Sequence, residues 1–166
     1  MNMPSYNSFT GVLTEIHNFP ITLQDESGCY KIMTLQNEEG MINTFVVSPS
    51  TYFVSGATLE IGDTVQGFYN INSPTVLIYP PRYNAVAMAK VSPHETVTMD
   101  YFDETLLNSS QTLQLNVGPD TLVLLTNNQY FEGYLNNRYL LVVYGFTTRS
   151  IPAQTTPSQI IVLCYC

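Results

Sequence analysis

Three cysteines, Cys29, Cys164 and Cys166, are the side chains of this 166-residue sequence best suited to covalent chemistry. An odd count leaves at least one free thiol or one bridge to another molecule. Cys164 and Cys166 stand two apart, so on an extended strand both point to one side. Buried, they act as small apolar side chains. Exposed, they are placed to cross-link subunits. Metal ligation is not expected: no CxxC occurs, and His17 and His94 stand at no ligand-like spacing.

Nucleophilic catalysis needs a nucleophile, a base and a group that orients the base. His17 precedes an Asn-Phe-Pro turn, His94 follows Ser-Pro, and neither lies near a nucleophile-elbow pattern. Three carboxylate pairs, Asp25-Glu26, Glu38-Glu39 and Asp103-Glu104, fall at turns, where solvation accounts for them. Glycoside hydrolysis would need two carboxylates facing each other across a cleft. No calcium-loop pattern is present, and the nine glycines form no phosphate-cradling motif. The expectation is a non-enzyme with no catalytic residue, no cofactor and no metal.

The net charge is −8, with only Lys31, Arg82, Lys90, Arg138 and Arg149 as cations. Nucleic acids are held by clustered Lys and Arg, so nucleic-acid binding is not expected. Anionic membrane surfaces are disfavoured for the same reason. No apolar run reaches the length of a membrane-spanning helix, and residues 1–6 lack the basic and apolar regions of a signal peptide. Synthesis in the cytoplasm is therefore expected, with a final location at a spore or cell surface left open. Charged residues make up 11% of the chain, less than half the usual share of about 25%. A surface built from uncharged polar groups has little mutual repulsion. The expected partner is a second copy of the chain.

Val, Ile, Thr, Tyr and Phe are abundant, and Gly, Pro, Asn and Ser interrupt them at short intervals, which predicts strands separated by turns. Strands are expected over residues 8–16, 29–35, 41–47, 51–54, 64–69, 83–91, 97–102, 111–117, 121–126, 139–144 and 160–166. In the first, Phe9, Val12 and Ile16 are expected on one face and Leu13 on the other. Residues 21–23 lead to a turn over 24–28. The run 139–144 is the longest and is expected to be central. A short helical turn is expected around Leu106.

Two stretches match at a constant offset of 78 residues. Phe45-Val46-Val47 pairs with Val123-Leu124-Leu125, Tyr52-Phe53 with Tyr130-Phe131, Gly67-Phe68 with Gly145-Phe146, and Pro74 with Pro152. Self-similarity of this kind means one unit built twice. The predicted fold is all-β, with two tandem small β-barrel (OB-like) or sandwich units, residues 1–92 and 93–166, related by this repeat.

Gly67-Phe68-Tyr69-Asn70-Ile71-Asn72-Ser73-Pro74, continuing to Leu77-Ile78-Tyr79-Pro80-Pro81-Arg82-Tyr83, resembles patterns in small, uncharacterised β-rich proteins of spore-forming Gram-positive bacteria. The stretch from Val143-Tyr144-Gly145-Phe146 to Pro157 is similar to them too. The resemblance implies a bacterial surface, envelope or spore context and assigns no site.

Residues 74–82 and 149–157 each join an arginine to prolines, at equivalent places in the two halves. Arginine and tyrosine are favoured at protein contacts. Arg82, Tyr83 and Arg149, with Cys29, Cys164 and Cys166, are therefore the expected intersubunit contacts or cross-links. Twelve tyrosines without a tryptophan fit subunit packing better than a sugar platform. The expected function is a structural subunit that self-assembles into a fibre, layer or crystal. The alternative is a binding module for a glycan, peptide or protein.

Overall fold

A computed structural model describes residues 4–20, 28–74 and 76–164. The segments expected over 21–23 and 24–27, the pair Asp25-Glu26 and Cys166 lie outside them. The fold is all-β, with several sheets and no α-helix among the described residues. It divides into two compact units, Met1–Val91 and Ser92–Cys166.

The first unit holds β1 (Tyr6–Asn18), β2 (Lys31–Gln36), β3 (Ile42–Val47), β4 (Tyr52–Phe53), β5 (Thr64–Asn70), β6 (Arg82–Asn84) and β7 (Ala87–Lys90). Their order in one sheet is β4-β7-β5-β1-β2-β3-β6. β2 and β3 form a hairpin whose turn is set by Asn37: its Oδ1 accepts from the N–H groups of Glu39 (3.1 Å) and Met41 (2.9 Å). Gly40 completes that turn at φ 82°, a backbone state that costs glycine little.

The long strand β1 bonds to β2 on one side and β5 on the other. Its register shifts between Leu13 and Glu15, which marks a bulge at Thr14. A bulge adds one residue and so reverses which face later side chains take. This corrects the expected grouping: Leu13 is fully buried and Phe9 and Ile16 pack on its core, while Val12 is exposed.

β6 and β7 are two parts of one returning segment. β6 runs parallel to β3, and Ala85 N–H donates to Val46 O at 3.0 Å. Val86 N–H then donates to Phe68 O at 2.8 Å, and β7 continues antiparallel to β5. The core lies among Leu13, Leu35, Phe45, Val65 and Met88, all without solvent contact. Each such side chain contributes about 1.5–3 kcal/mol by leaving water.

The second unit holds β8 (Thr96–Phe102), β9 (Leu113–Leu115), β10 (Leu122–Leu125), β11 (Arg138–Tyr144), β12 (Ala153–Thr155) and β13 (Gln159–Val162). One sheet has the order β10-β13-β11-β8, and β12 pairs with β9 in a second. β11 lies inside its sheet, and Leu140, Leu141, Val142 and Val143 are fully buried, as a continuous apolar β-run requires. β13 ends at Val162, so the strand expected to run to residue 166 is shorter.

The helical turn expected around Leu106 is instead a carboxylate-centred turn. Asp103 Oδ1 accepts from the N–H groups of Thr105 (2.9 Å) and Leu107 (3.0 Å), and Leu106 takes φ 65°. An Asp that bonds nearby N–H groups competes with helix formation.

The residues matched at the constant offset occupy unlike places. Phe45 lies in β3, bonded to β2 and β6, whereas Val123 lies in β10, bonded to β13. Phe68 is buried in β5, whereas Phe146 lies beyond the end of β11 and is 84% exposed. The spacing of 78 residues therefore does not mark equivalent strand positions.

Candidate functional site

The outward face of β3 and β6 carries a concavity. β3 alternates, with Asn43, Phe45 and Val47 inward and Val46 outward. Its parallel pairing with β6 sets Val46 opposite Asn84. Phe19 and Tyr30 also line it, joined by the bond from Phe19 N–H to Tyr30 O at 2.8 Å. Pro74 and Val76, from the connection between β5 and β6, complete the lining. Together with Arg82 these residues enclose about 320 Å³. A second hollow of about 400 Å³ shares Tyr30, Val46 and Asn84 and adds the hydroxyl side chains Ser48, Ser50 and Ser73.

Arg82 is the one cation lining either hollow among the described residues. Its guanidinium lies over the Phe19 ring, 5.6 Å from the centroid, an attractive cation–π arrangement. Its Nε is buried and has no hydrogen-bond partner among the described residues. Alternation sends the next residue, Tyr83, inward. Its ring stacks on Tyr69 at 3.9 Å and packs beside Phe45 at 5.9 Å. Burial, then the neighbouring Tyr83, raises the Tyr69 hydroxyl above its ordinary pKa.

The other expected contact residues are dispersed. Arg149 is exposed on the connection between β11 and β12. Cys29 and Cys164 are free and exposed. The connections after β5 and after β11 present large apolar side chains to solvent: Leu77 is 99% and Ile151 96% exposed, with Tyr79 and Phe146 close behind.

His17 Nε2 stands 3.3 Å from Glu15 Oε2, both on the surface of β1. His94 bonds through its backbone to Ser92 Oγ. Neither joins a nucleophile. No group of three potential metal ligands occurs among the described residues, and no helix there is long and apolar enough to cross a membrane.

Phe19, Tyr30, Val46 and Asn84 were not signalled as site residues by spacing, because they converge from distant parts of the chain. The usable signal was the alternation of β3, which leaves Val46 apolar on an outward face. Comparison with protein-family models, curated proteins and solved structures returned no match.

Proposed function

We propose that the chain is a non-enzymatic structural subunit that self-assembles, built from two barrel-like units of OB-like connectivity. The observation that carries the self-assembly reading is the pair of apolar connections, with Leu77 and Ile151 almost wholly in water. Isolated surface apolar residues are ordinary, but several on one short connection mark an interaction site. The few surface charges offer little repulsion against such contact. Head-to-tail contacts between unlike surfaces propagate into fibres or layers when the rotation between subunits does not close. The resemblance noted above points to a bacterial cell or spore surface as the setting.

The ladder pattern supports the barrel reading. In the first unit the returning segment bonds to β3 and then to β5, linking both ends of the meander β1-β2-β3. The second unit has four of the first unit's relations, β8 with β11, β11 with β13, β13 with β10, and β9 with β12, and among the described residues only isolated bridges at Phe102–Asn108 and Leu107–Gln114 where β2 would stand. In this frame Val65 corresponds to Leu140 and Tyr52 to Leu122.

Sedimentation velocity across a concentration series, with negative-stain microscopy, tests the function. Assembly that grows with concentration and is lost in the Leu77→Ser/Ile151→Ser double variant is expected. A monodisperse monomer at high concentration, with or without reductant, would overturn it. The second reading is a binding module, favoured by the hollow around Arg82.

A further inference from the structure

We infer that the hollow on the outward face of β3 and β6 binds an acidic oligosaccharide, with Arg82 receiving a sugar carboxylate. Three observations carry this. The first is charge: among the described residues Arg82 is the one cation lining the two hollows, and no acidic side chain among them lines either. The Nε of its guanidinium is buried, so a ligand would meet the terminal nitrogens. A planar guanidinium already held against the Phe19 ring is preorganised to take a carboxylate through two parallel N–H bonds.

The second is lining chemistry. Tyr30 supplies an aromatic surface suited to the C–H face of a sugar ring. Ser48, Ser50, Ser73 and Asn84 surround the adjoining hollow with groups that both donate and accept, which matches the hydroxyl groups of a saccharide.

The third is the shape of the site. The two hollows adjoin through Tyr30, Val46 and Asn84, and their volumes of about 320 and 400 Å³ suit neighbouring rings of a short chain. An extended peptide would be favoured by an open strand edge. Here β3 is bonded on both sides, to β2 and to β6, but β6 ends the sheet, so the acidic peptide in the test probes that edge. The net charge of −8 favours a ligand with few carboxylates over a dense polyanion.

The test is isothermal titration calorimetry of the full chain with tri-galacturonate. Neutral galactotriose and a capped tri-glutamate peptide serve as comparisons. Tri-galacturonate is expected to bind, and galactotriose about tenfold or more weakly, as loss of a charge-assisted hydrogen bond predicts. Arg82→Gln should weaken the acidic sugar by the same factor and leave the neutral one unchanged. If Arg82→Gln does not fold by circular dichroism, Tyr30→Ala and Asn84→Ala carry the test, and each should weaken both sugars. No binding, equal binding in variants and parent, or a preference for the acidic peptide would overturn the proposal. The Leu77→Ser/Ile151→Ser variant keeps every hollow-lining residue, so titrating it separates ligand binding from self-assembly.

Discussion

Gly67 lies directly against the ring of Phe45: a Cβ at position 67 would stand 2.8 Å from Phe45 Cζ. Phe45 is fully buried in the cluster with Leu13, Leu35, Val65 and Met88, so moving its ring means moving core neighbours. Gly67→Ala should therefore destabilise the first unit by about 1–3 kcal/mol through overpacking. Urea unfolding followed by tyrosine fluorescence measures this. An unchanged midpoint would mean that the ring can shift after all.

That contact also shows what could be read from the chain. The pair Gly67-Phe68 resembles Gly145-Phe146 in type, yet Gly145 lies beyond β11, and a Cβ there would approach only His94 O, at 3.1 Å. On the proposed relation of the two units the counterpart of Gly67 is Val142, and strand pairing tolerates such a change of residue type as long as the inward face stays apolar. The central place of β11 was legible because an unbroken run from Leu140 to Val143 has to be covered on both faces. The bulge at Thr14 was not, because it is set by how β1 bonds to β2 and β5 together. Arg82, like Arg149, stood out as a cation joined to prolines. Phe19 and Tyr30, which give it surroundings, belong to contacts that only the fold creates.

Asp103 should give the second unit a recognisable acid dependence. The N–H groups of Leu107 and Thr105, with the Thr105 hydroxyl, hold its carboxyl below the ordinary value of 3.8. A group whose pKa is depressed on folding stabilises the native state above its unfolded value and loses that contribution as pH falls through the folded value. Asp103→Asn should thus be less stable than the parent at neutral pH, and the difference should shrink below pH 3.8. Thermal melts at pH 7 and at pH 3 check this. A difference that is constant with pH would exclude the carboxylate as its source.

Cys29 and Cys164 are exposed and free, so both should react with a thiol reagent in the folded protein. Labelling followed by peptide mass spectrometry should modify both without denaturant. If intermolecular bridges join the subunits, an oxidised sample should form a ladder on a non-reducing gel that collapses with reductant. Cys164→Ser should shorten that ladder. An unchanged single band would leave only noncovalent association.

Asn108 organises the approach to β9 from an almost buried position, 8% exposed. Its Oδ1 accepts from the N–H groups of Thr112 (2.8 Å) and Leu113 (2.9 Å), and its Nδ2 donates to Thr112 Oγ1 at 3.0 Å. Asn108→Ala would leave those N–H groups without this acceptor, at a cost of about 1–3 kcal/mol. Asn108→Asp keeps the accepting oxygen but places a charge where solvent is scarce. It should therefore recover stability as the carboxyl is protonated, whereas the alanine variant should show no such recovery. Denaturant melts of both variants at pH 7 and pH 4 separate the lost hydrogen bonds from simple loss of side-chain volume. Equal responses to pH would show that the Asn108 oxygen is not what holds the turn.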